Sequence, residues 1–308
     1  MSYDIFGDLH GHAEALKSLL KKMGYSIVNG AYKHPKNIAI FIGDFIDRGP
    51  NQLETVSIVK SMVDSGYALA IMGNHELNAL AWYYKDSNGE HLRSHKKHNN
   101  DQHEQFLNEI GPNNDLHKET LDWFITLPLW LDLPGFRAVH ACWDQASIDF
   151  LNGQLDSKQC LSIEQLEKAT KKPIVEDGSM TMFSAVETIL KGIERPLPKG
   201  ITFKDAEGQE RSNVRVKWWK INATTIREVA LAEPLVLDKI PYIPYESNTP
   251  QYRGKPVFFG HYWMKGEPIA LSNNIACVDY SVAKNGKLTA YRWRGESALN
   301  NQNFCQQD

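Results

Sequence analysis

The run Ile42-Gly43-Asp44-Phe45-Ile46-Asp47-Arg48-Gly49-Pro50 places two carboxylates and a guanidinium directly behind an apolar stretch, Ile38 to Ile42. Solubility or turn chemistry alone does not ask for that concentration of charge. Asp44 stands nearest the end of the apolar stretch, where open α/β sheets place reactive groups, and a carboxylate there can bridge two divalent ions. Arg48 can present its rigid donor fork to a phosphate that such ions polarise. A second cluster, Gly7-Asp8-Leu9-His10-Gly11, offers one oxygen and one nitrogen ligand, alternating so that both can point to the same side of an extended segment. A third, Gly73-Asn74-His75-Glu76, follows another apolar stretch. Any one of these, taken alone, also fits a capped turn or a surface ion pair.

Three strands must position them. Tyr3 to Phe6 reads as a strand entering the first cluster, and Leu16, Leu19, Leu20 and Met23 then recur at helical spacing up to the stop at Gly24. The plan repeats with a strand Ile38 to Ile42, the Asp44 loop and a helix from about Gln52 to Asp64. A third strand, Tyr67 to Met72, delivers Asn74 and His75. Successive strands with polar clusters at their carboxyl ends predict one edge of a mostly parallel sheet.

Gly7-Asp8-x-His10-Gly11, Gly43-Asp44-x-x-Asp47-Arg48-Gly49 and Gly73-Asn74-His75-Glu76, in that order, resemble the phosphoprotein-phosphatase type of binuclear metallophosphoesterase. Val139-His140-Ala141 and Phe259-Gly260-His261 are similar to that family's two later histidine motifs. The resemblance implies an α/β calcineurin-like sandwich of two mixed β-sheets flanked by helices. It implies two divalent or trivalent ions, one held by Asp8, His10 and Asp44 and the other by Asp44, Asn74, His140 and His261. Carboxylate, imidazole and amide donors suit Mn, with Fe or Zn also compatible. Two ions roughly 3.5–4 Å apart can share a hydroxide that attacks phosphorus. The implied catalytic set is His75 as general acid, Asp47 orienting its imidazole, and Arg48 on the phosphate, with Glu76 structural. A second phosphate-binding arginine is expected between His140 and His261, and Arg215 is the choice, because in a strand it shares a face with Lys217 and Trp219; Arg253 is the reserve.

The expected reaction is metal-dependent hydrolysis of phosphomonoesters, the partner being a phosphorylated protein or small molecule. The alternatives are a dinucleoside-polyphosphate hydrolase of the diadenosine tetraphosphate type and an inactive phospho-ligand-binding protein. Cys142-Trp143 behind His140-Ala141, and Tyr262-Trp263 behind His261, depart from the usual Ser/Thr phosphatases and bear on substrate; Tyr262, Trp263, Trp218 and Trp219 are candidates for an aromatic platform for a base.

The rest of the chain is read as follows. His91, His95, His98 and His103 lie in a polar stretch, expected to be a solvated helix or loop rather than a further metal site. A helix is expected over Asp115 to Thr126, and Leu129 to Leu133 and Phe136 to His140 read as a hairpin about Pro134-Gly135. A less regular segment, about 144–253, is expected beside the active site, with a helix near Ile163 to Thr170 and a strand over Asn213 to Ile221. Pro256 to Gly260 reads as a strand, and Ile275 to Ser281 is expected to pair with Lys287 to Trp293 through the Asn285-Gly286 turn. The polar tail, about 296–308, is expected to fray. One domain, 1–308, accommodates all of this.

Over 308 residues, 42% hydrophobic and 23% charged content are globular values, and no apolar stretch is long enough for a membrane span. A net charge of −3 argues against general nucleic-acid binding. Met1 leads straight into a strand without a signal-type segment, and Cys142, Cys160, Cys277 and Cys305 have no metal-type spacing, so free thiols and a cytoplasmic location are expected.

Overall fold

Ile5, Ile40 and Ile71 point one way from their strands and Phe6 and Phe41 the other, and every one of these side chains is fully buried. This is the pattern of a sheet covered on both faces, where strands read as continuous apolar runs rather than alternating ones. The structure, a computed structural model, describes residues 2–173, 178–204, 210–220, 222–245 and 252–307.

Ser2–Phe6 pairs in parallel with Asn37–Phe41, which pairs in parallel with Ala68–Ala70. On the other side Ser2–Phe6 pairs antiparallel with Thr289–Trp293, and Phe304–Gln306 forms the outer edge. Trp130–Asp132 and Arg137–Val139 form the expected hairpin of a second, four-stranded sheet, completed by Val257–Phe259 and Ile275–Cys277, both running parallel to Arg137–Val139. Between the sheets lies an apolar layer of Ile5, Ile40, Ile42 and Ile71 against Phe136, Ala138, Phe258 and Ala276, closed by Tyr291 and Trp293. Burying one such isoleucine stabilises the fold by about 1.5–3 kcal/mol. Helices Ala13–Lys22 and Gln52–Asp64 supply Leu16, Leu19, Leu20, Val59 and Met62 to the apolar cluster that takes in Phe6 and Phe41. The architecture is therefore the expected pair of mixed sheets flanked by helices.

Within the irregular segment, Asn213–Val216 lies between Glu194–Pro196 and Ala230–Leu231 in a separate three-stranded sheet. Its strand is shorter than expected, and Ile221 lies outside the described residues. Ile163–Gln165 is a 3-10 turn leading into helix Leu166–Thr170, as the sequence suggested.

Two expectations are corrected. Ile275–Cys277 and Thr289–Trp293 are not a hairpin: they belong to different sheets. A turn does form at Asn285-Gly286, where Gly286 N–H donates to Ser281 O at 2.9 Å, but it carries the chain from one sheet to the other. The reason is that Ser2–Phe6 would otherwise leave a row of backbone groups without partners, and Thr289–Trp293 supplies them. The tail is not frayed either. Phe304–Gln306 is a strand, Phe304 packs edge-on against Tyr291 with ring centroids 5.0 Å apart, and Tyr291 Oη donates to Glu296. Edge strands tolerate polar side chains, so composition hid it.

Among the described residues no helix is long and apolar enough to cross a membrane. All four cysteines are free thiols.

Candidate metal centre and phosphate site

The loops that leave the strand ends are unusually tight. His10, Asp44, Asp47, Arg48, His261 and Trp263 all have positive φ, between 44° and 75°. Left-handed backbone at a non-glycine residue costs roughly 1–2 kcal/mol, and such residues collect at functional sites. The glycines beside them are there for space. A Cβ on Gly260 would stand 2.1 Å from Asp8 Oδ1, and one on Gly73 would stand 2.3 Å from Asp44 Oδ1. Glu76 binds two of these loops together: its carboxylate accepts N–H groups from Asp44 at 2.8 Å, Phe45 at 2.8 Å and Gly73 at 2.9 Å. Burial, then the nearby Asp44 charge, push the Glu76 carboxyl up to about 7.

Asp44 occupies the centre. Its Oδ2 lies 3.4 Å from His140 Nε2, 3.7 Å from His10 Nε2 and 3.9 Å from His75 Nε2. Donor atoms of His10, Asp44 and His75 fall within 4.8 Å of one another, as do those of Asp44, His140 and His261, so Asp44 is common to both groups. Asn74 Oδ1 is 3.1 Å from His140 Nε2. Asp8, on the other flank, is buried and accepts the His261 backbone N–H at 3.1 Å. The ring tautomers are set by backbone carbonyls: His10 Nδ1 donates to Ile46 O at 3.0 Å and His140 Nδ1 to Ile42 O at 2.7 Å, leaving Nε2 of each ring aimed at Asp44.

Charge balance fits cations at this point. Burial, then Asp279, push Asp8 well above the carboxylate range. Burial, then His75, bring His10 down to about 3, and burial, then Arg215, hold His261 well below an ordinary imidazole. Nε2 of His10 and of His261 is buried with no hydrogen-bond partner. Buried neutral imidazoles with idle lone pairs facing buried carboxylates make a mixed N/O donor set of the kind Mn, Fe or Zn takes. The residues fit a metal pair.

His75 meets the centre from one side. Its Nδ1 is 2.5 Å from Asp47 Oδ2, and its backbone N–H donates to Asp44 Oδ1 at 3.0 Å. Burial opposes its protonation, but Asp44 and Asp47 outweigh it and raise the His75 pKa. Arg48 lies over the Trp263 ring at 4.6 Å, and Lys284 Nζ lies over the same ring at 3.5 Å. Arg215 occupies the half-buried position of a strand whose Val214 and Val216 are fully buried, but the strand ends at Val216, so Lys217 and Trp219 lie outside it and do not extend its face. Its Nε is buried without a partner, its Nη2 is 4.0 Å from Glu194 Oε1, and its charge is felt at His261. Arg253 is exposed.

The aromatic platform has to be cut down. Trp219 and Tyr262 are buried against Phe259 and each other, and Trp218 lies tilted against Phe259 and edge-on to Trp219 while donating Nε1–H to Ala141 O at 2.9 Å. Of the four, Trp263 is the one stacked against Arg48 of the Asp44 loop. The histidine-rich stretch divides as well. His91 and His95 stack at 3.9 Å and His95 stacks on Trp82 at 4.1 Å, but His103 is buried and its Nδ1 lies 2.7 Å from Asp47 Oδ1. Sequence reasoning missed His103, which sits in helix Lys97–Ile110 with Phe106 and Ile110, the other buried residues of that helix; their 3–4 spacing was the available signal. It also missed Asp279, a buried carboxylate just past Ile275–Cys277 that accepts the Trp263 N–H at 2.7 Å and the Ser281 N–H at 2.9 Å.

Residues 1–225 match the family described as calcineurin-like phosphoesterase. The chain is 34% identical over 142 residues to a bis(5′-nucleosyl)-tetraphosphatase (asymmetrical), PrpE, of Oceanobacillus iheyensis, covering 46% of this chain and 55% of that one. It is 42% identical over 76 residues to the protein of the same name from Halalkalibacterium halodurans, covering 24% and 31%. The chain thus spans from just under a third to just over half the length of these curated relatives. Among solved structures it is similar to the cold-active protein-tyrosine phosphatase of a psychrophilic Shewanella, at 16% identity and a TM-score of 0.49, covering 100% of this chain and 80% of that one. With the matched region running from the first acidic turn past His140, the chain belongs to the calcineurin-like phosphoesterase family.

Proposed function

We propose that the chain is a metal-dependent phosphoric ester hydrolase acting on phosphomonoesters, of a phosphorylated protein or a small molecule. The observation that carries this reading is the sharing of Asp44 between two donor groups, with the Asp47–His75 pair, 2.5 Å between its atoms, beside them. Asp8, His10 and Asp44 would hold one ion, and Asp44, Asn74, His140 and His261 the other, Mn being the best match to the donors with Fe or Zn compatible. Bound there, such ions supply Lewis acidity to a phosphoryl oxygen and lower the pKa of water.

The protein's own groups do the remainder. Arg48, from the loop behind Asn37–Phe41, and Arg215, from the separate three-stranded sheet, would bring cationic forks to the phosphate and hold it in line for displacement. Stacking on Trp263 restricts the Arg48 guanidinium, so less freedom is lost when it binds. His75 gives the Nε2 proton to the departing oxygen, and Asp47 keeps Nδ1 protonated and stabilises the ring's charge before transfer. Left-handed loops and glycine contacts keep these groups from relaxing away from one another.

A second reading, hydrolysis of dinucleoside tetraphosphates, is favoured by the names of the similar proteins from Oceanobacillus and Halalkalibacterium. Purified protein with Mn²⁺, assayed for kcat/KM on p-nitrophenyl phosphate, phosphopeptides and diadenosine tetraphosphate, decides between them. A preference of a hundredfold or more for the dinucleotide would replace the phosphomonoester reading, and no turnover of any substrate would leave only phospho-ligand binding.

A further inference from the structure

The Asp47 carboxylate serves two imidazoles. Oδ2 meets His75 Nδ1 at 2.5 Å and Oδ1 meets His103 Nδ1 at 2.7 Å, and all three side chains are buried. His103 comes from helix Lys97–Ile110, which has no part in the donor groups around Asp44. We infer that His103 is a positioning residue for the proton-transfer step: it fixes the plane of the Asp47 carboxylate and through it the direction of the His75 ring. This rests on the hydrolase reading proposed above.

Three observations support a directing role over simple packing. A carboxylate turns easily about its last carbon–carbon bond, a broad twofold torsion, so one hydrogen bond to His75 does not define its plane. A second bond on the other oxygen does. Next, the Asp47 backbone is in the left-handed region, φ 69°, in a loop without regular structure, and it needs bracing. Gln52 braces the main chain, accepting the Asp47 N–H at 2.6 Å and donating to Gly49 O at 2.5 Å, and His103 braces the side chain. Helix Lys97–Ile110 secures both, because Glu109 accepts N–H groups from Gln52 at 2.5 Å and Leu53 at 3.0 Å.

Finally, His103 is an expensive way to fill space. Its ring lies 4.9 Å from Phe106 and 6.1 Å from Trp82, centroid to centroid, where an apolar side chain would pack without penalty. Its Nε2 is buried with no partner, and an orphaned polar atom in such a place costs about 1–3 kcal/mol. Nδ1 is engaged by Asp47 and Nε2 by nothing. Every polar bond the ring makes is thus spent on Asp47.

The test compares leaving groups. Phenyl phosphate needs a proton on its departing oxygen, and 2,4-dinitrophenyl phosphate does not. His103→Leu should lower kcat on phenyl phosphate by about tenfold or more, part of the 10²–10⁴ a general acid supplies. KM and bound metal should be unchanged, and the loss on the dinitrophenyl ester should be less than about a third of that. His103→Asn, whose side-chain N–H reproduces the Nδ1 donor, should recover most of the activity, and His103→Gln, whose amide reaches too far, should not. In Asp47→Asn the further change His103→Leu should cost almost nothing. Equal losses on both esters, or loss of metal, would make His103 structural and overturn the inference. If the Leu variant fails to fold, the Asn and Gln pair carries the same comparison, and equal activity in those two likewise overturns it. Wild-type protein inactive on both esters with Mn²⁺ would instead remove the hydrolase reading itself, and this inference with it.

Discussion

Asp44 stands within 3.9 Å of three imidazole nitrogens while its backbone is held by Glu76. Burial alone would push its carboxyl up, but His140 and His75 hold it well below the carboxylate range. Asp44→Asn should therefore fold, lose both ions by metal analysis and lose nearly all turnover, because an amide cannot bridge two cations. Full activity in chelator with no metal bound would contradict it. His75→Asn should keep its metal yet lower kcat by roughly 10²–10⁴ on substrates with poor leaving groups. Loss of an ion in that variant would make His75 a ligand, which its 3.9 Å approach to Asp44 also permits. The polar groups Asp8, Asp44, Asn74 and His261 could be located in the sequence because each follows an apolar strand and a glycine. His103 and Asp279 could not, since a histidine in a polar helix and an aspartate after a strand look alike whether exposed or buried.

Helices show the same division. Helix Gln52–Asp64 runs over the predicted residues, and helix Asp115–Phe124 ends within two residues of its expected stop, each marked by apolar periodicity and breakers. At the start of the second, His117 is fully buried and its Nδ1 accepts the Asn113 N–H at 3.1 Å, an interaction only a neutral ring can make. Burial, then His103, push it down to about 4. The unfolded chain takes up a proton near pH 6.5 that the folded one refuses, so stability is full above that pH and falls as the pH drops toward 4, by about 3 kcal/mol at the limit. His117→Asn, whose side-chain oxygen can accept the same N–H, should flatten that slope in urea titrations between pH 7 and 4; parallel slopes would clear His117 of the effect. The misread elements were those whose fate depends on distant partners. Thr289–Trp293 joins Ser2–Phe6 across nearly the whole chain, and the Asn285-Gly286 signal describes only the local bend.

At the level of the whole molecule, the proposed donors come from the ends of strands in both sheets: Asp8, His10 and Asp44 from loops of the first and Asn74 from the start of the helix Asn74–Tyr83 behind it, His140 and His261 from the second. Hydrogen bonds to main-chain carbonyls stitch them together, from the His140 ring Nδ1 to Ile42 O and from Gly260 N to His140 O at 2.8 Å. The apolar layer alone leaves two carboxyl groups, Asp8 and Asp279, buried here, and Asp279 adds to the burial that pushes Asp8 up. Ions that bind only the folded arrangement should raise its stability by about 2.7 kcal/mol per site at a hundred times their Kd. Mn²⁺ should thus raise the Tm of the wild type and leave Asp44→Asn unmoved. An equal rise in both would place the stabilising ion elsewhere. The sandwich itself was readable from family-like motifs and apolar runs; the separate three-stranded sheet around Arg215 was not, because its strands are two to four residues long and carry no clear alternation outside Asn213–Val216.

Glu76 has a consequence for motion. Loop amides ordinarily trade their protons with solvent quickly, since local opening frees them. Those of Asp44, Phe45 and Gly73 are closed by one carboxylate that is itself fully buried, so none can open without stranding it. Their hydrogen–deuterium exchange should be as slow as that of Ile5 or Ile40 in the central strands, and Glu76→Gln, which can accept at only one of its two positions, should release at least one of them to exchange in minutes while the strands stay protected. A catalytic loop that exchanges like a core strand opens only when the sheets do: its fluctuations are those of global unfolding.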